Sequence, residues 1–186
     1  MTDKISEIKL RQRKIAVAGR NSLSDENRRL YSELICNKLS ELNEIKEAKT
    51  ILSYKAIGSE VDLSEFDKIM QSLGKIVAYP LSEEGNKMTA LFPKPKSNFV
   101  RGKYGILAPQ IKDSEIINPE DIDIVITPLV AFDDDNNRLG HGCGYYDAYL
   151  PACKRAYIIG AAFTAQRLGK IAIEPHDIKL HRIVHE

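Results

Sequence analysis

Thr127–Leu150 reads TPLVAFDDDNNRLGHGCGYYDAYL, and its reading decides how the rest of the chain is understood. It opens as the apolar end of a strand, IDIVIT, breaks at Pro128, crosses an acidic turn and enters a loop with Gly140, Gly142 and Gly144. Tyr146, Tyr149 and Leu150 then fall at helical spacing. Strand, glycine loop and helix together suit a phosphate: glycines let backbone N–H groups approach an anion, and a helix N-terminus adds partial positive charge. Arg138 enters this loop and Asp147 lies one turn into the helix, so one could neutralise phosphate and the other could hold a divalent cation on it. The glycines run G-x-G-x-G with no Walker lysine, so by spacing alone a phosphate site and a tight structural loop are equal readings.

Outward from this stretch, strands and helices alternate. TILSY, from Thr50, reads as a short buried strand ending in the turn KAIGSEVDL, where Gly58 permits the turn and Glu60 stands at the strand's carboxyl end. Ser64 and Asp67 resemble a capping box for the helix SEFDKIMQSL, which Gly74 ends. KIVAYP gives a strand stopped by Pro80, SEEGNK a polar hairpin, and MTALF the return. Pro93–Asn118 has no sustained period and reads as a long surface loop. AYIIGAAF is a further buried strand, Pro175–Asp177 a turn, and RIVH an edge strand. Nearer the N-terminus, Asp3–Ala18 reads as a helix with a loose apolar stripe of Ile5, Ile8, Ile15 and Ala18 and with Gly19 as its stop. Lys9 and Arg13 share another face of it, with Arg11 and Lys14 nearby, and by pattern alone that face is solvated. Ser24 N-caps a second helix to about Leu42, with Leu30, Leu34, Ile35, Leu39 and Leu42 inward. The expected fold is α/β: a single three-layer domain over residues 1–186, Rossmann-like, with a mostly parallel central sheet, helices on both faces and ligands at the carboxyl ends of the strands.

The chain has 186 residues and a formal net charge of +1, with its charges evenly scattered, which argues against nucleic acid or an anionic membrane as the partner and favours small molecules. No targeting or membrane-spanning run is evident, and Cys36, Cys143 and Cys153 lack metal-site spacing, so a cytoplasmic, monomeric protein with free thiols is expected. Asp133, Asp135 and Asn137 are spaced as in a calcium hand, but Arg138 stands where glycine is needed and Gly144 where a bidentate Glu is needed. His176, His181 and His185 carry no HExxH and no cysteine partner, which disfavours zinc. Cys143 has only His141 as a nearby base and reads as a tolerated small residue. Asp177, after Pro-His in a turn, is a candidate second carboxylate for a phosphate-bound metal.

The segment LVAFDDDNNRLGHGCGYYDAYL resembles the signature of the 5-formyltetrahydrofolate cyclo-ligase family, whose usual form is AFD, a polar turn, RLG, a glycine-rich tripeptide and YYD. KAIGSEVDL, KIVAYP, KYGILAP and EPHDIKLHRIV resemble further elements of that family, so the likeness spans nearly the whole chain. The resemblance implies an enzyme that uses ATP and magnesium to cyclise 5-formyltetrahydrofolate to 5,10-methenyltetrahydrofolate by phosphorylating the formyl oxygen, releasing ADP and phosphate. By position it implies Lys9, Arg13, Arg138, Leu139, Gly140, His141, Gly142, Cys143, Gly144, Tyr145 and Tyr146 at the ATP. It implies Lys55, Glu60 and Tyr145 at the folate, Arg138 and Asp147 in catalysis, and Asp147 with Asp177 on the metal. The family commonly has Glu or Gln at the position of Ala108 and glycine at that of Cys143. These departures motivate an alternative, a catalytically weak folate- or nucleotide-binding regulator on the same fold.

Overall fold

In the computed structural model, which describes residues 2–186, the chain runs through α1 (Thr2–Asn21), α2 (Asp25–Glu41), α3 (Asn43–Glu47), β1 (Thr50–Leu52), α4 (Ser64–Ser72), β2 (Ile76–Ser82) and β3 (Met88–Pro93). It continues through β4 (Phe99–Arg101), β5 (Leu107–Pro109), β6 (Ser114–Ile117), β7 (Ile124–Pro128), β8 (Ala131–Phe132), β9 (Arg138–Leu139), α5 (Tyr145–Tyr149), β10 (Tyr157–Ala161) and β11 (Arg182–Val184). The central sheet has the order β11-β10-β7-β1-β2-β3-β6. Strands β11 to β2 in that order are parallel, and β3 and β6 extend one edge antiparallel.

Side chains alternate along the strands, and both faces are buried. Ile51, Val77, Ile124, Ile126 and Ile159 pack with Ile35 and Leu39 of α2, Ile45 of α3 and Phe66 and Met70 of α4. Leu52, Ala78, Val125 and Ile158 face the other side, against Tyr145, Tyr149 and Leu150. The expected α/β layering is present, with the second helical layer thin: α5 has five residues and passes into a single 3-10 turn, Leu150–Ala152. No helix among the described residues is long and apolar enough to cross a membrane.

Several local expectations are corrected. Helix α1 passes through Gly19 and ends at Asn21. A Cβ on Gly19 would lie 2.6 Å from the carbonyl oxygen of Ala165, so this glycine is a contact point between helix and chain, not a stop. Among the described residues, those buried in α1 are Lys9, Ala16 and Arg20, while Ile8 and Ile15 are exposed, the reverse of the apolar stripe. Helix α2 buries Ile35, Cys36 and Leu39 but leaves Leu30 and Leu34 exposed. Its Ser24 does cap it, accepting from Asn27 N. Asp67 is no capping residue: α4 has no side-chain cap, Ser64 N donates to Asp62 instead, and Asp67 turns inward. Strand β2 continues past Pro80 to Ser82, which is tolerated because β1 has ended and Pro80 is paired only with Ala90 of β3. Pro93–Asn118 holds the β4–β5 hairpin and edge strand β6. Those short, half-exposed strands carry too little apolar alternation to announce themselves.

Asp133 ties the β8–β9 turn to the chain's C-terminal segment. It is 2% exposed, and its Oδ1 accepts from Asp135 N at 3.1 Å and Asn137 N at 3.0 Å. Its Oδ2 accepts from Asn137 Nδ2 at 3.0 Å and Ile171 N at 2.9 Å. Burial would raise this carboxyl group's pKa, but the hydrogen bonds from Asn137, Ile171 and Asp135 more than offset it and hold it below its usual value. Asp133→Ala leaves buried N–H groups unpaired and is expected to cost about 3 kcal/mol of stability in urea unfolding. A group depressed in the folded state stabilises above its unfolded pKa. Asp133's contribution should therefore be whole at neutral pH and decline as the pH falls below about 4.

Candidate active site

Strands β1 and β7 are parallel neighbours, and the chain leaves their carboxyl ends separately, β1 into the turn that carries Glu60 and β7 into the β8–β9 hairpin. With β2 on the other side of β1, the strand order reverses here, and a crevice opens where such a reversal occurs. It is a cavity of about 320 Å³. Lys9 and Arg13 of α1, Lys55 and Glu60 of the turn after β1, the run 138–147 without a gap, and Asp177 all line it. Helix α1 turns Lys9 and Arg13 to this cavity and leaves Arg11 and Lys14 exposed. Ala108 is buried in β5 and is not among the lining residues.

The glycine loop does not follow the central strand directly, because the β8–β9 hairpin intervenes. Gly142 (φ +99) and Gly144 (φ +70) take left-handed backbone, and Cys143 between them does not, so a side chain at 143 is accommodated without strain. Since α5 is barely more than one turn, its dipole is weak, and the positive potential must come chiefly from side chains. Arg13 Nε donates to Gly140 O at 2.8 Å, and its guanidinium carbon would lie 3.3 Å from a Cβ at Gly142. Among the described residues Arg13 has no carboxylate partner. Arg138 Nη2 donates to Asp147 Oδ1 at 2.6 Å, while its Nε is buried without a partner. Tyr145 Oη donates to Glu83 O at 2.9 Å, fixing the loop to the β2–β3 hairpin.

Lys9 Nζ donates to Asp177 Oδ2 at 2.6 Å and to Glu174 Oε2 at 2.7 Å. Burial alone would lower its pKa, but the bonds and charges of Asp177 and Glu174 more than offset this and raise it above the usual lysine value. A raised folded pKa stabilises fully below the unfolded value, so the lysine's contribution is whole at neutral pH and is lost as the pH rises through the raised value. Asp147 and Asp177 come close together, since Ile178 N lies 3.4 Å from Asp147 Oδ1. Each uses one oxygen for these bonds, and the second oxygen accepts nothing from the described residues. Two open carboxylate oxygens beside a cationic loop fit a hard divalent cation. Glu174, His176 and Asp177 also place one ligand atom each within 4.8 Å of one another.

Glu60 is 7% exposed. Its Oε2 accepts from Ile57 N at 2.9 Å, its Oε1 lies 2.8 Å from His141 Nε2, and Arg20 Nη1 stands 4.0 Å away. His141 thus links the glycine loop to Glu60. Sequence reasoning missed Glu174, Arg20 and Tyr104. Tyr104, from the β4–β5 hairpin, has φ +58 and its ring lies 6.3 Å from that of Tyr145. Its signal was the KYGI element; Arg20 extends the Lys9–Arg13 stripe by two turns. His181 and His185 form no metal pair: His181 Nδ1 accepts from Ile158 N and His185 Nδ1 meets Thr164 Oγ1, both at 2.9 Å. Burial pushes the thiols of Cys36 and Cys153 up to about 11, which leaves them unreactive.

Known proteins resemble this chain over most of its length. The sequence model of the 5-formyltetrahydrofolate cyclo-ligase family matches residues 4–186. The chain is 29% identical over 181 residues to the 5-formyltetrahydrofolate cyclo-ligase of Mus musculus, covering 89% of this chain and 87% of the mouse protein. It is 27% identical to that of Haemophilus influenzae, covering 98% of each. The NMR structure of Aquifex aeolicus 5,10-methenyltetrahydrofolate synthetase superposes with a TM-score of 0.84 at 33% identity, over 95% of this chain and 89% of that one. With its fold and nearly its full length shared, the chain belongs to the 5-formyltetrahydrofolate cyclo-ligase family.

Proposed function

We propose that this chain cyclises 5-formyltetrahydrofolate to 5,10-methenyltetrahydrofolate with conversion of ATP to ADP and phosphate. The observation that carries the reading is the cavity itself, where a cationic glycine loop and the buried carboxylate of Glu60 share one enclosure. The formyl oxygen of an amide leaves poorly, and a phosphoryl group taken from ATP onto that oxygen makes it a good leaving group. The folate's second nitrogen then attacks the activated carbon, gives up its proton to solvent, closes the ring and expels phosphate. Such chemistry asks for positioning and charge neutralisation more than for proton transfer, and among the described residues the lining's His141 meets Glu60 and no serine.

Lys9, Arg13 and Arg138 bind the triphosphate, together with backbone N–H groups of the loop Gly140–Tyr145. Arg13, already free of any carboxylate, needs no exchange of partner to do so. Asp147 and Asp177 are the residues that would hold a magnesium ion, which when bound neutralises phosphate charge. Glu60 accepts from the pterin's amino and ring N–H donors, a contact that displaces or shares the His141 bond. Tyr145, held by Glu83 O, and Tyr104 beside it offer aromatic surface to the folate.

Purified protein given magnesium, ATP and 5-formyltetrahydrofolate is expected to release ADP in step with the methenyl chromophore; binding of both ligands without coupled release would mark a binding protein instead. Arg138→Ala should lower kcat by about 100-fold or more, and Arg138→Lys should recover little because the planar fork is lost. Glu60→Ala should raise the KM for the folate by about tenfold or more while ATP affinity, read by titration calorimetry, stays near that of the parent.

A further inference from the structure

One hydrogen bond in the cavity joins two groups that the proposed function gives to different ligands. His141 Nε2 lies 2.8 Å from Glu60 Oε1, across 81 residues of chain. A carboxylate oxygen only accepts, so Nε2 carries the proton and donates it. Glu60's other oxygen accepts from Ile57 N at 2.9 Å, so both oxygens are engaged in the empty protein. His141 is the partner able to leave, because its side chain is 50% exposed against 3% for that of Glu60.

Glu60 is held from behind. Arg20 Nε donates to Ser59 Oγ at 3.0 Å, and its Nη1, buried without a hydrogen-bond partner, stands 4.0 Å from Glu60 Oε1. When His141 leaves, the carboxylate keeps a buried counter-charge with an open donor, so the bond opens without stranding a charge. On the other side, His141 stands between Gly140 and Gly142, and the backbone N–H groups of residues 140–144 donate to no backbone acceptor among the described residues. Open donors beside the Arg13 guanidinium suit an anion. A phosphate oxygen there and Glu60 Oε1 compete for the one proton on Nε2.

Resting on the function proposed above, we infer that His141 is a latch between the two ligand sites: it donates to Glu60 in the empty protein and to the terminal phosphate once nucleotide binds. Nucleotide thus uncovers the carboxylate, and a folate that takes Glu60 frees His141 for phosphate, so each ligand tightens the other by the same factor.

The test is titration calorimetry with 5-formyltetrahydrofolate and with the magnesium complex of β,γ-imido-ATP, whose terminal phosphoryl group is not transferred, each ligand alone and with the other saturating. In the parent each ligand is expected to tighten the other about threefold, the size of one half-exposed hydrogen bond. His141→Ala, at an exposed position that folding tolerates, should bind folate about threefold more tightly than the parent when nucleotide is absent, a gain that structural damage does not produce. In that variant the nucleotide should no longer tighten the folate. Glu60→Ala frees His141 in the same way, and its nucleotide affinity should rise by no more than about threefold, which keeps it near that of the parent. No mutual tightening in the parent, or undiminished tightening in folded His141→Ala, overturns the latch while coupled turnover by the parent leaves the proposed function standing. A parent that binds neither ligand overturns both.

Discussion

The ammonium of Lys9, enclosed between Glu174 and Asp177, closes the molecule on itself. Its partners lie 165 and 168 residues away in the chain. A lysine only 5% exposed is unfavourable unless paired, and breaking such a buried pair costs about 3–5 kcal/mol. That requirement fixes which side of α1 faces inward, and the rest of the basic stripe follows from it. Arg13, one turn on, lies over the glycine loop; Arg20, nearly two turns further, stands 4.0 Å from Glu60. The helix thus turns a row of cations inward, and it is held by charge as well as by the packing of Ala16 and Val17 with Val130, Ala131, Leu139 and Ile171. Ala16 is its single buried apolar side chain among the described residues.

The same logic governs the acidic groups in the cavity and the one buried behind it. Asp147 is matched by Arg138, Asp67 by Lys55, and Glu60 by His141 with Arg20 behind it. A polar enclosure of this kind is stable when empty because each of these carboxylates already has a partner, and it is preorganised because those partners fix each side chain's direction. Under the proposed function, a triphosphate and a folate would exchange some of these partners instead of meeting an apolar space. The left-handed glycines on either side of Cys143 and the bond from Tyr145 to Glu83 O keep the loop's backbone in place during that exchange.

The sheet's contribution is positional. Strands β1 and β7 end side by side and diverge, so the turn to Glu60 and the hairpin to Arg138 must leave a crevice between them. The hairpin is itself anchored by Asp133, whose carboxylate ties the acidic turn to Ile171 and so brings the segment carrying Glu174 and Asp177 toward α1.

By itself the sequence determined the layering, because strands buried on both faces must be apolar throughout, as Ile51–Leu52 and Ile124–Ile126 are. It also determined where the glycine loop lies, since only glycine adopts the left-handed backbone of residues 142 and 144 without strain, and that pattern is visible in single letters. Every residue singled out for the site lines the one cavity described here. What the tertiary structure alone decided was the inward face of α1, where local periodicity pointed to Ile8 and Ile15 and the outcome was Lys9 and Arg20. The reason is physical: helical periodicity records apolar burial, whereas this helix is placed by carboxylates far along the chain. Asp67 escaped local reading in the same way. Its capping spacing is a short-range signal, and the lysine and tyrosine that draw it inward belong to other elements.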